Sequence, residues 1–228
     1  WKLPPTRGNI VDYFGNIIAG NLKVYQLHII PEQVENFNYL LLRLKTLLNL
    51  SDQKIQKIIK LKNKLKPWDS IIVSENLSWS EFLKINNYLY DLVGVKPVMT
   101  ISRNYPFNEI YTHVLGYVSQ PNEKDILENE IVKERFVPGM KIGKLGLEKT
   151  LENQLIGTNA IQRYEVNAYG KRINQLEYQK GLQGNNIRLT VDTEIQKLSS
   201  QLLLSKAGSI SVMDIYTGDI IAMYSSPS

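Results

Sequence analysis

The chain has 228 residues, 43% hydrophobic and 21% charged, which suits one large domain or two small ones and argues against wholesale disorder. Twenty-seven basic against 22 acidic residues leave a net charge of +5. Without an Arg/Lys stripe interleaved with aromatics this speaks against nucleic acid as a partner, and it is compatible with an anionic surface such as lipid headgroups or a wall polymer. The absence of cysteine excludes disulfides, thiolate chemistry and cysteine zinc sites. His28 and His113 lie 85 positions apart without an acidic cluster at ligand spacing, so no metal and no cofactor is expected.

The chain opens on Trp1-Lys2-Leu3-Pro4-Pro5, a pattern typical of the segment just outside a membrane helix, so an anchor preceding it is expected. Ile10–Val11 and Ile17–Ile18 flank Asp12-Tyr13-Phe14-Gly15 and read as a β-hairpin in which Gly15 supplies a positive φ. Leu22–Ile30 alternates and reads as a strand ended by Pro31, with His28 a packed strand residue. Residues 32–49 carry apolar side chains at helical spacing, and Ser51 caps a second helix that runs to Lys64 and stops at Pro67. Its basic stretch, Lys57–Lys66, reads as the solvated face of an amphipathic helix. A short strand follows at Ser70–Ser74. Ser78 and Glu81 then form a capping box that opens a third helix, reaching about Leu92 and closed by Gly94.

Val95–Pro106 returns to extended structure, Asn108–Gln120 reads helical through Gly116, and Asn122–Leu127 gives a further helical piece. A helix over Leu145–Ile156 ends with Gly157 at C′. Residues 160–179 read as a hairpin around Ala168-Tyr169-Gly170, and Asn186–Val191 as a strand. Asp192 caps a helix to about Lys206, and Ser209–Met213 with Ile220–Tyr224 form a last hairpin. Strands thus bracket a helical middle. The fold class expected is α+β: a β-rich pedestal (1–30 and 141–207) with an inserted, mainly helical head (31–140), and a closing hairpin (208–228) that begins a further domain.

Three motifs in order sharpen this. They are R-G-x-I-x-D-x-x-G (Arg7, Gly8, Ile10, Asp12, Gly15), R-x-Y-P (Arg103, Tyr105, Pro106), and G-x-x-G-L-E followed by L-x-G (Gly143, Gly146, Leu147, Glu148, Leu155, Gly157). Together with the strand, helix and hairpin after them, they resemble the N-terminal module of the class B penicillin-binding proteins over nearly the whole chain. Leu27–Val34, Thr112–Ser119 and Gly143–Leu155 are most similar to the cell-elongation transpeptidases within that family. The residues agree physically. An Arg beside Gly at a strand edge and a Glu in the first turn of a helix can form a charge-assisted, bidentate pair. Such a pair would tie the N-terminal hairpin to the helix after Gly146, and Arg7, Asp12, Arg103 and Glu148 are assigned a structural role as the clamp of the pedestal.

The resemblance implies a non-catalytic pedestal for a serine-type D,D-transpeptidase whose Ser-x-x-Lys, Ser-x-Asn and Lys-Thr-Gly motifs lie in a following domain. It also implies an inner-membrane anchor, a periplasmic location and three partners: an elongasome scaffold protein, a membrane glycosyltransferase and the chain's own transpeptidase domain. No catalytic residue is expected here. Ser51-Asp52-Gln53-Lys54 fits Ser-x-x-Lys, Ser74-Glu75-Asn76 fits Ser-x-Asn, and Lys141-Ile142-Gly143 and Tyr216-Thr217-Gly218 faintly resemble the third motif. Ser51, however, has a plain use as a helix cap. Two other readings are an acyl-serine hydrolase built on Ser51 and an unrelated exported wall-binding or adhesion domain.

Overall fold

The computed structural model describes residues 2–137, 139–166, 172–204 and 206–227. In chain order the elements are β1 (Lys2–Leu3), β2 (Ile10–Val11), β3 (Ile17–Ile29), α1 (Phe37–Leu48), α2 (Asp52–Lys64), β4 (Ile71–Leu77), α3 (Trp79–Asn87) and β5 (Val95–Asn104). There follow α4 (Asn108–Leu115), β6 (Val118–Ser119), α5 (Glu123–Glu128), α6 (Glu130–Arg135), β7 (Ile142–Gly143), α7 (Gly146–Thr150), α8 (Glu152–Leu155), β8 (Ala160–Val166) and β9 (Arg172–Gln179). The last are β10 (Ile187–Arg188), α9 (Thr193–Leu202), β11 (Gly208–Met213) and β12 (Ile220–Ser226). The fold is α+β. The described residues form two compact units, one of 2–21 with 103–227 and one of 22–102. Residues 103–140, grouped with the head in the sequence reading, belong by contact to the first unit.

In the first unit β2 pairs antiparallel with the start of β3, with Ile10 opposite Ala19, and β10 adds to β2 in parallel. A second sheet runs β1-β8-β9. The turn expected at Ala168–Gly170 lies outside the described residues, but Ile161 opposite Gln179 and Glu165 opposite Asn174 show the hairpin. Ile10, Ile18 and Ala19 pack with Tyr111, Leu115, Leu155 and Val191, which brings strands distant in sequence onto α4 and α8. A satellite cluster of Val132, Val137, Met140, Ile142 and Ile156 lies under α6. The β11–β12 hairpin is seated on α9. Gln196 Nε2 donates to the Met223 carbonyl at 2.7 Å and its Oε1 accepts the Met223 N–H at 2.8 Å, so one fully buried side chain imitates a strand rung.

In the second unit α1, α2 and α3 cover one face of a sheet in which β3 lies between β4 and β5. Alternation along β3 buries Leu27 and Ile29, and Ile71 and Val73 join them from β4. Leu40, Leu41, Leu44 and Leu48 recur at helical spacing on α1 and close the core. Ser51 accepts the Lys54 N–H at the head of α2, and Ser78 with Glu81 makes the full capping box of α3.

Several boundaries differ from the sequence reading. Pro31 opens a 3-10 turn, and α1 begins only after Asn36, whose side chain accepts the Tyr39 N–H. The α4 helix stops at Gly116 and does not pass through it: Gly116 has φ +72°, and a Cβ there would sit 2.1 Å from the Leu145 carbonyl oxygen. The helix expected over Leu145–Ile156 is two short pieces broken at Leu151. Gly157 is not a left-handed cap. It is needed because the Leu182 and Thr6 carbonyls come within 2.2 and 2.7 Å of where a Cβ would be. The strand at Asn186–Val191 shrinks to two paired residues, and α9 ends at Leu202.

Candidate functional site

The first unit holds a buried ion cluster, built from three segments far apart in sequence. Arg7 follows Thr6 just before β2. Its Nε donates to Glu148 Oε2 at 2.6 Å, its Nη2 to the Glu148 carbonyl at 2.7 Å, and its Nη1 to Glu152 Oε1 at 3.0 Å. Arg103, near the end of β5, donates from Nε to Glu148 Oε1 at 2.7 Å and from Nη1 to the Gly8 carbonyl at 2.7 Å. Glu148 has no solvent exposure and takes one guanidinium on each carboxylate oxygen; the Tyr105 hydroxyl donates to Oε1 at 3.3 Å. Glu152 Oε2 accepts the Gly143 N–H at 2.8 Å and lies 2.8 Å from Arg7 Nη2.

Two guanidiniums and two carboxylates leave the cluster neutral. Taking ions out of water is costly, and a set of this kind stands when its charges are matched and most of its polar atoms are paired; Arg103 Nη2 is the buried atom of the cluster without a hydrogen-bond partner among the described residues. Burial pulls the Arg7 pKa down, but the Glu152 hydrogen bond and the two carboxylates outweigh burial and hold it above its ordinary value. Burial, together with the Glu148 charge, pushes the Tyr105 hydroxyl well up, so it is a neutral donor throughout the physiological range.

The glycines of the motifs make room for this cluster. A Cβ on Gly143 would sit 2.1 Å from the Glu148 carbonyl oxygen, so only glycine lets β7 lie against α7 and give its N–H to Glu152. A Cβ on Gly8 would sit 1.9 Å from the Asn185 carbonyl oxygen. Gly146 starts α7 at φ +57°, Leu147 packs against the core beside it, and Pro106 lies in the turn between β5 and α4.

Asp12 is not in the cluster. It organises the β2–β3 turn: Oδ1 accepts the Phe14 and Asn16 N–H groups at 3.0 and 2.7 Å, and Oδ2 accepts the Asn16 side chain and the Thr193 hydroxyl at 2.9 and 2.6 Å. Gly15 completes that turn at φ +90°. Tyr111 in turn donates to Thr193, so the turn is tied to α9 and α4. Burial raises the Asp12 pKa, but the bonds from Thr193, from the Asn16 side chain and from the two N–H groups outweigh burial and hold it below the usual carboxylate range.

Glu152 was missed in the sequence, although it stands four residues after Glu148, the spacing that places two side chains on one helical face. Asn21, whose Nδ2 donates to the Arg7 carbonyl at 2.6 Å, carried no sequence signal.

Of the serine-motif look-alikes, Gly143 of Lys141-Ile142-Gly143 gives its N–H to Glu152 in the cluster, and the others have plain local uses. Ser51 caps α2 with a 3.4 Å bond from the Lys54 N–H, Ser74 sits opposite Leu27 in the sheet, and Thr217 is in the β11–β12 turn. His28 contacts Ser70 Oγ and Gln26 Oε1, and His113 Nε2 lies 3.1 Å from the Pro227 carbonyl. Among the described residues no helix is long and apolar enough to cross a membrane.

Comparison with known proteins places this geometry. The family model of the penicillin-binding protein dimerisation domain matches residues 2–189. The peptidoglycan D,D-transpeptidase MrdA of Haemophilus influenzae is 34% identical over 99% of this chain and 35% of its own length. That of Escherichia coli K12 is 34% identical over 99% of this chain and 36% of its own length. The chain therefore spans about a third of the length of these curated relatives. Among solved structures, a Helicobacter pylori penicillin-binding protein (PBP2), solved as a complex with MreC, superposes with TM-score 0.80 at 26% identity, over 100% of this chain and 42% of that one. The three ordered motifs, the α+β fold and these matches agree: the chain belongs to the penicillin-binding protein dimerisation-domain family.

Proposed function

We propose that the chain is the non-catalytic pedestal of an elongation-type penicillin-binding protein. It positions a serine D,D-transpeptidase domain on the periplasmic face of the inner membrane and binds elongasome partners. The observation that carries this reading is the family match over residues 2–189 together with the likeness of this whole chain to 42% of a PBP2. By the same likeness the scaffold protein bound is of the MreC kind, the membrane partner is a glycosyltransferase, and an N-terminal helix anchors the parent protein. Unit 22–102 serves as the head, and the ion cluster serves as the scaffold's internal clamp. Peptidoglycan cross-linking through an acyl-serine is then the work of the parent protein, not of Ser51.

The test is acylation by a fluorescent penicillin, read by intact mass, on this 228-residue chain beside the parent protein with its transpeptidase domain. The reading predicts added mass on the longer chain alone, and association of both with the scaffold protein. Stoichiometric labelling of the short chain, removed by Ser51→Ala, would contradict it. Salt-sensitive binding to isolated peptidoglycan without scaffold binding would favour a wall-binding domain instead.

A further inference from the structure

The net charge of this protein sits in one place. Residues 52–66 contain Lys54, Lys57, Lys60, Lys62, Lys64 and Lys66 against Asp52 alone; the rest of the chain balances at 21 basic and 21 acidic residues. This segment therefore accounts for the whole +5. Three of its lysines are engaged locally. Lys62 lies over the Phe37 ring at 4.4 Å, Lys66 lies over Trp68 at 5.5 Å, and Lys54 is half-buried close enough to Glu81 to lower its pKa.

Lys57, Lys60 and Lys64 remain. They are exposed, and among the described residues they enter no ion pair. Spacings of three and four put them on a single face of α2, in a stripe about 10 Å long. Like charges at these spacings weaken a helix, and of the three only Lys64, in the last turn, gains from the helix dipole. Apolar groups adjoin it: Leu61, one turn after Lys57, is 39% exposed, Leu65 is 38% exposed, and Trp68 just beyond the helix is 61% exposed.

We infer that α2 docks on an anionic lipid surface, with Lys57, Lys60 and Lys64 over the headgroups and Trp68 at the interface. Three features favour a bilayer over a polymer or a discrete phosphate. The stripe is exposed on the convex surface of a helix, whereas a linear polyanion is tracked by a groove. Its cations are all lysine, compact hydrated charges without the planar fork that fixes one phosphate. Finally, lysine beside leucine and an exposed tryptophan is the composition of a helix that lies in a membrane interface. This inference stands independently of the pedestal reading.

The experiment is flotation of the 228-residue chain with phosphatidylglycerol-containing vesicles and with phosphatidylcholine vesicles, at low and high salt. Binding to the anionic vesicles alone is expected, weakening as salt shortens the screening length. Each lysine near such a surface is worth roughly fivefold, so Lys57→Gln/Lys60→Gln/Lys64→Gln loses on the order of a hundredfold in partitioning. A control that removes the same charge elsewhere, Lys23→Gln/Lys96→Gln/Lys180→Gln, keeps it. Far-UV circular dichroism confirms that both variants are folded. The inference is overturned if neither vesicle binds, if both bind equally, if the control loses as much as the stripe variant, or if a soluble polyphosphate is bound while vesicles are not.

Discussion

The two units use charge in opposite ways. In the first unit Arg7, Arg103, Glu148 and Glu152 are sealed from water and equal in charge, with Glu148 shared by both arginines and Arg7 by both glutamates, so each ion has a single place to be. In the second, Lys57, Lys60 and Lys64 of α2 stand in solvent, enter no ion pair among the described residues, and add little to stability. The same chemical group thus specifies geometry when buried and creates only a field when exposed. Burial and pairing, not composition, decide which.

The contrast is sharpest in what substitution costs. Glu148→Ala would leave Arg7 and Arg103 buried without their shared carboxylate, and a broken buried pair typically costs roughly 3–5 kcal/mol. It is the largest loss expected here, and urea unfolding would read it.

Asp12→Asn is next, at about 1.5–3 kcal/mol near neutral pH, because it removes charge from an acceptor of four hydrogen bonds. Its pH dependence has a definite sign. A carboxylate with a depressed pKa in the folded state stabilises above its unfolded value, about 3.9, and that stability is lost as pH falls through the folded value. The difference between Asp12→Asn and the native chain therefore narrows below about pH 4, as thermal melts across an acid series would show.

Gly143→Ala follows. The new methyl would meet the Glu148 carbonyl at 2.1 Å, so β7 must shift and its N–H must leave Glu152; overpacking of this kind costs roughly 1–3 kcal/mol. The smallest effects belong to the helix caps. Ser78→Ala removes the side-chain half of a capping box, leaving the backbone N–H of position 78 to Glu81, and costs about 1 kcal/mol, whereas Ser51→Ala, whose one bond is 3.4 Å long, costs less. Equal losses at the two caps would show that bond geometry does not set their value.

How far the sequence revealed this depended on whether the signal was local. The β2–β3 turn, both serine caps and the pattern of α1 and α2 were legible because turn residues, capping boxes and 3–4 spacing act within a few residues. Ends set by distant atoms were not legible. Gly116 stops α4 because the Leu145 carbonyl is there, and Gly157 is required by Leu182 and Thr6. Within the site, a pairing of Arg7 with Glu148 could be anticipated from residue types and motif order. That Arg103 shares the same carboxylate, and that Glu152 closes the cluster, depends on how β5 and α8 pack, which no short-range pattern encodes.

The most direct measurement is urea unfolding of Glu148→Ala beside the triple lysine-to-glutamine variant at positions 57, 60 and 64, at low and high salt. The account predicts a loss of roughly 3–5 kcal/mol for the first, little changed by salt. It predicts a change within about 0.5 kcal/mol for the second. Comparable losses in the two, or a Glu148→Ala chain as stable as the native one, would contradict the claim that the buried ions hold this fold in place.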